Sequence, residues 1–209
     1  MDRVRPSKKG YHIFVFFVLV YLGCFGSGIA QRKRIMKRVS IACELGNFQP
    51  HSLNDEPRFD TFGAAGATPY VGLAVSAPFF GGMGLRASAG YWSLRELDKT
   101  ETVHSLTLHP ITLDIKYWFV PDYRLSAYVM YGGSVVLGIE NETKPFGRKL
   151  HKARTGFGAS LGAGFDFELN ERAGLGMAFQ YLYIRFREPV GGVDDFSGPK
   201  ITVMAFFLL

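Results

Sequence analysis

Two cysteines in 209 residues leave almost nothing for covalent cross-linking. Cys24 falls in a segment that reads as a removable leader, so Cys43 stands alone and no intramolecular disulfide is expected. The longest apolar run, Ile13–Phe25, is shorter than the roughly 17–25 residues of a membrane-crossing helix. His12, His109 and His151 are isolated and show no metal-ligand spacing. The glycines alternate with apolar residues and form no phosphate-binding motif. No cofactor is expected. A net charge of +6 suggests nucleic acid at first sight, but its placement argues otherwise. Four basic residues of the leader outnumber Asp2, and Arg32, Lys33, Arg34, Lys37 and Arg38 precede the first later acid, Glu44. The rest of the chain therefore carries about −2, and no nucleic-acid partner is expected.

What the chain does hold is glycine (25 residues) and aromatic side chains (15 %), with only 47 % hydrophobic residues. That mixture is too polar for a helical membrane protein and too rich in glycine for a helical bundle. The stretch Gly156–Leu169 explains it. Its odd positions (Phe157, Ala159, Leu161, Ala163, Phe165, Phe167, Leu169) are apolar and its even positions small or charged, the period of two that marks a strand. Membrane strands need roughly 9–11 tilted residues, and this one has the length. The odd face is expected to meet lipid.

Residues 1–30 read as a signal peptide: Arg3, Arg5, Lys8 and Lys9, the apolar run, then Gly28-Ile29-Ala30 before Gln31. Tyr21-Leu22-Gly23-Cys24 is an alternative processing site that would leave a lipid-modified Cys24. Residues 31–209 form one barrel domain with eight expected strands: 38–48, 68–79, 83–94, 105–120, 124–139, 155–169, 173–187 and 199–209. Connections after even strands are tight, at Gly81-Gly82, Pro121-Asp122-Tyr123 and Asn170-Glu171-Arg172. Those after odd strands, 49–67, 95–104, 140–154 and 188–198, are longer and more polar. Short turns at one end and long loops at the other are what an outer-membrane barrel shows, with the turns in the periplasm. In the fourth strand the apolar parity changes after Leu106 and Leu108, which predicts a bulge at His109-Pro110.

This pattern resembles the small outer-membrane barrels of the OmpA/OmpX type over about Arg38 to Leu209. The alternation of Ile201, Val203, Ala205, Phe207 and Leu209 is similar to the signal that the barrel-assembly machinery reads in that family, although a terminal phenylalanine is usual there. The resemblance implies an all-β, eight-stranded, antiparallel, up-and-down transmembrane barrel in the outer membrane of a Gram-negative-type bacterium. It implies outer-membrane lipid, periplasmic chaperones and the assembly machinery as partners. Cell-wall anchoring is not carried over, because the peptidoglycan-binding domain that follows the barrel in OmpA is not expected in these residues. A soluble secreted barrel of lipocalin type is the alternative, and it would put the apolar faces inside.

With odd-type faces outward, the interior receives Glu44, Arg86, Trp92, Asp114, Lys116, Arg124, Tyr128, Asp166, Glu168, Gln180 and Lys200. Buried charges of both signs must pair or stay wet, so Glu44, Arg86, Asp114, Lys116, Arg124, Asp166, Glu168 and Lys200 are expected to form a salt-bridged plug. On the outer face of the seventh strand, Tyr181 and Tyr183 would belong to the aromatic girdle, with Arg185 and Arg187 above them at the level of lipid phosphates. The basic loop 140–154 is a candidate surface-ligand segment. No catalytic residues are expected. Lipid-modifying barrels pair His-x-Ser on one strand face, whereas His51-Ser52 and His104-Ser105 are adjacent and would point apart. The expected role is structural or surface-interacting, with a narrow pore or ligand conduit as the alternative and a lipid-modifying enzyme a third reading.

Overall fold

Period-two alternation and glycine-rich turns become a ring of antiparallel strands. A computed structural model describes residues 38–55, 68–97, 102–119, 124–144 and 149–209. The leader reading for residues 1–30, its alternative at Cys24, and residues 32–37 lie outside the described residues. The strands are β1 (Ser40–Phe48), β2 (Thr68–Phe80), β3 (Met83–Leu97), β4 (Val103–Trp118), β5 (Leu125–Thr143), β6 (Lys149–Glu168), β7 (Ala173–Val190), β8 (Val193–Asp195) and β9 (Gly198–Leu208). A 3-10 turn, His51–Asp55, follows β1.

Each strand from β1 to β7 pairs with the next. Strand β7 then pairs with β9, and β9 with β1 from Ser40↔Leu208 to Phe48↔Lys200. Eight strands thereby close into a barrel, and the short β8 pairs only with β7. The seam is completed by Leu209 N–H donating to the Val39 carbonyl at 2.9 Å. A closed ring leaves no strand edge to be desolvated in hydrocarbon. The β2–β3 connection is Gly81-Gly82, with φ of 51° and 91°, the left-handed pair that a two-residue hairpin with matching twist requires.

Side-chain direction settles the choice between a membrane barrel and a soluble one. Phe157 and Leu161 are 60 % and 56 % exposed, and Leu73, Leu113, Phe179 and Val203 likewise face outward. Ser160, Gln180, Glu44 and Asp114 are buried inside. This is the reverse of a lipocalin-type interior.

Three expectations need correction. No bulge occurs at His109-Pro110: pairing with β3 lapses opposite these residues and resumes at Trp92↔Leu108 in the same register, while pairing with β5 runs through Pro110↔Val136. Leu106 and Leu108 therefore stay on the inward face and are buried, because the interior at that level is itself apolar. A register shift sits instead between Pro78 and Phe80. Second, much of the expected loop 140–154 is paired strand, from Glu140↔Lys152 to Thr143↔Lys149. Third, the expected loop 188–198 contains a second glycine hairpin, Gly191-Gly192 at φ 59° and 86°, joining β7 to β8.

Placing an ion on the outward face tests this orientation. Leu73→Arg is expected to cost about 2–4 kcal/mol when unfolding is followed in phospholipid vesicles. A cost within about 0.5 kcal/mol, normal for a water-exposed position, would refute lipid contact there.

Candidate functional site

The half of the interior nearer the short turns is ionic, and small residues make its contacts possible. Arg86 on β3 reaches over β2, whose inward residues there are Gly72, Ala74 and Ser76. Its Nη2 donates to Glu44 on β1, and its Nη1 donates to Asp114 Oδ2 on β4 at 2.9 Å. Asp114 also accepts from Ser160 and from Thr112 at 3.3 Å. Lys200 Nζ lies 3.8 Å from Glu44 Oε2 and 4.5 Å from the centre of the Tyr70 ring.

A second pair spans β5 in the same way. Lys116 Nζ on β4 donates to Asp166 Oδ2 on β6 at 2.6 Å, and Trp118 Nε1 donates to the same oxygen at 3.2 Å. The ammonium also stands 3.7 Å from the centre of the Tyr128 ring. Glu44, Asp114 and Asp166 thus balance Arg86, Lys116 and Lys200, so the buried cluster is neutral. Buried ions are tolerated only when partnered in this manner. Gln180 completes the layer, its Nε2 donating to Met130 Sδ at 3.6 Å.

Two residues expected in this cluster are elsewhere. Arg124 is exposed at the start of β5, where its carbonyl accepts from Glu168 N–H at 2.7 Å. Glu168 is half-buried at the mouth, with its side chain outside the ion-pair network described above. It lines a cavity of about 40 Å³ together with Arg38, Ser126 and Asp166. That volume holds a few waters. Both residues sit next to turns, where alternation no longer commits a side chain to the lumen.

The other half of the interior is mainly apolar, with buried His104 and Glu140 at its outer margin, which the charge pattern did not suggest. Trp92 belongs here, not to the ionic plug: it packs edge-on against Phe48 at 5.9 Å while its Nε1 donates to Thr68 Oγ1 at 2.6 Å. Tyr70, Leu106, Leu108, Val136 and Leu182 fill the same level. A cap closes the end opposite the short turns. Leu53 from the 3-10 turn and Val190, Val193 and Phe196 from the β7–β8 hairpin are buried in it, with Phe196 edge-on to Phe186 at 5.3 Å. Phe196 N–H donates to the Ile184 carbonyl and His51 N–H to the Ser197 carbonyl, at 2.9 and 3.0 Å, which fixes the cap to the wall.

On the outer face, Tyr181 is half-exposed and Tyr183 exposed, their ring centres 4.7 Å apart, with His51 6.1 Å from Tyr181. Arg185 and Arg187 are exposed beyond them on β7. Arg154 Nε meets Glu188 Oε2 at 2.6 Å across the top of the β6–β7 seam. His104 is buried, and Ser105 follows it on the opposite face of β4. Among the described residues no cluster of three or more His, Cys, Asp or Glu side chains could hold a metal.

No protein-family model and no curated protein matches the sequence. Solved structures do. The outer membrane protein OprG of Pseudomonas aeruginosa aligns with a TM-score of 0.59 at 14 % identity, over 86 % of this chain and 99 % of that one. A major outer membrane protein of Thermus thermophilus aligns with a TM-score of 0.56 at 12 % identity, over 82 % and 99 %. Ail, the attachment invasion locus protein of Yersinia pestis, in complex with the heparin analogue sucrose octasulfate, aligns with a TM-score of 0.51 at 13 % identity, over 82 % and 97 %. In fold the closed ring of strands is similar to these small outer-membrane proteins.

The ionic cluster makes its own prediction. Arg86→Met takes the shared cation from two buried carboxylates and is expected to cost about 3–5 kcal/mol, whereas the combined Glu44→Gln, Arg86→Met, Asp114→Asn, Lys200→Met variant, which removes two charges of each sign, recovers most of that. Denaturant unfolding of both proteins in one lipid measures the difference; equal losses would mean the ions do not act as a unit.

Proposed function

We propose that this barrel spans the outer membrane without conducting or catalysing, stabilises the envelope, and offers its long-loop end to partners outside the cell. The observation that carries the reading is occlusion of the lumen at two successive levels. The Glu44–Arg86–Asp114 bridge crosses one, and Trp92, Tyr70, Leu106 and Leu108, all at most 1 % exposed, fill the next. An eight-stranded barrel is only wide enough to be filled by its own side chains or to hold one small ligand. A conduit is disfavoured because the ion-paired Arg86 and Lys116 line the small cavity at the mouth. A lipid-modifying enzyme is disfavoured because His104 and Ser105 face opposite ways across the wall.

Contact with lipid belongs to the same reading. Tyr181 and Tyr183 suit the interface, where an aromatic ring keeps its body in hydrocarbon and its hydroxyl in water. Arg185 and Arg187 stand where phosphate oxygens of the outer leaflet would lie, and guanidinium groups suit them. Delivery by periplasmic chaperones and the assembly machinery accords with the alternation of β9. An anionic partner also fits the charge at this end, and the sulfated ligand of Ail is an anionic ligand on a barrel of like fold.

Planar-bilayer recording tests the proposal. The wild-type protein is expected to show no steady conductance, and a stable open level would overturn it. Replacing Arg185 and Arg187 by alanine is expected to leave the barrel folded while removing the extra thermal stability gained in lipopolysaccharide over neutral phospholipid; undiminished stabilisation would exclude these residues as the phosphate contact.

A further inference from the structure

Inward positions at the outer end of β3, β4 and β5 carry ionisable side chains that belong neither to the ionic plug nor to the apolar packing. Glu96 stands directly opposite His104, and His104 directly opposite Glu142. The next inward pair on β4 and β5 is Leu106 with Glu140, so Glu140 is the diagonal neighbour of His104. Side chains directly opposite on one face have Cβ atoms about 5 Å apart, and diagonal ones about 7 Å. One imidazole therefore lies within reach of carboxylates on both neighbouring strands. His104 and Glu140 are each only 7 % exposed, and Glu96 and Glu142 are half-buried.

The other charged groups that face this cluster among the described residues come from β5, β6, β7 and the cap. Lys144 Nζ lies 3.4 Å from Glu142 Oε1. Lys152 on β6 is opposite Glu140 and exposed. Arg154 and Glu188 pair with each other at 2.6 Å. In the cap, Asp195 Oδ1 accepts from Ser197 N–H at 2.8 Å, and Val190 is buried over Gly138, one inward step below Glu140 on β5. With His104 neutral, Glu96, Glu140 and Glu142 outnumber Lys144 and Lys152 by one charge. Protonation of His104 brings the set to balance. An unbalanced charge is costly where water is scarce, and histidine is the side chain that changes its charge between about pH 5 and pH 8.

We propose that His104, with Glu96, Glu140 and Glu142, is a proton-operated clasp at the outer end of the barrel. Acidification makes both ring nitrogens donors, so that charge-assisted hydrogen bonds tie β4 to β3 and to β5 beside the cap. At neutral pH those ties are lost and the outer ends of the three strands open more often. The clasp goes beyond the sealed lumen and does not depend on it: a conducting barrel would leave it standing.

Amide hydrogen exchange of the full-length refolded protein in detergent micelles, corrected for the intrinsic pH dependence of exchange, measures that opening. Amides of 103–106 and 139–142 are expected to open about fivefold less often at about pH 5.5 than at about pH 7.5, while those of 113–116, near the short turns, do not change. His104→Gln, which keeps a hydrogen-bonding side chain that does not titrate, is expected to abolish the difference. Glu142→Gln, at a half-buried position that tolerates replacement, is expected to reduce it by at least about half, since one of the acceptors of the imidazolium loses its charge. Equal opening of the wild-type protein at the two pH values would overturn the proposal. So would an undiminished difference in either variant, which would mean that other groups carry the response.

Discussion

Backbone hydrogen bonding without water is the constraint from which the rest follows. In hydrocarbon a strand edge has nothing to bond to, so β1 must find β9. That pairing extends over the whole of β1, from Ser40↔Leu208 to Phe48↔Lys200. Closure turns the period of two in each strand into an inside and an outside. It then forces every inward side chain of eight strands into one narrow tube, where each polar atom has to meet another.

The tube answers most of that demand in two layers, leaving Ser134 Oγ, Gln180 Oε1 and Thr202 Oγ1 without a hydrogen-bond partner among the described residues. Near the short turns the inward positions are charged, and long side chains bridge strands that are not neighbours, Arg86 reaching over β2 and Lys116 over β5. Further along, most inward positions are aromatic or aliphatic and exclude water by packing, with His104 and Glu140 buried beside them. The cap carried by the 3-10 turn and the β7–β8 hairpin continues the apolar layer past the wall.

How much of this could be read in the residues depended on whether a local period carried the information. Strand existence and outward orientation were readable, because a lipid-facing stripe such as Phe157, Leu161 and Phe165 is a strong signal; alternating connection lengths were not, since strands run past their expected ends and leave five residues at 98–102 and at 144–148 against six at 119–124. Glu44, Arg86, Asp114, Lys116, Asp166 and Lys200 were placed inside by parity alone. Their pairings were not readable, since these are set by register across two strands. Leu106 and Leu108 misled because an apolar residue was equated with the lipid side, whereas half of this lumen is apolar; parity was the better guide than hydropathy. Arg124 and Glu168 failed for the opposite reason, lying at strand ends where parity has lost its hold. Gly191-Gly192 carried the same hairpin signal as Gly81-Gly82 but sat among loop residues, and β8 is too short to announce itself.

Direction of the side chains can be observed directly. Nitroxide labels placed singly at Leu161, Val203 and Gln180, with the protein in lipid bilayers, report access to oxygen dissolved in hydrocarbon and to a water-soluble nickel complex. The account predicts that labels at Leu161 and Val203 relax with oxygen and ignore nickel, and that the label at Gln180 is shielded from both. Labels at Leu161 and Val203 that answer to nickel instead would place the apolar belt in water, and the barrel would not be a membrane protein.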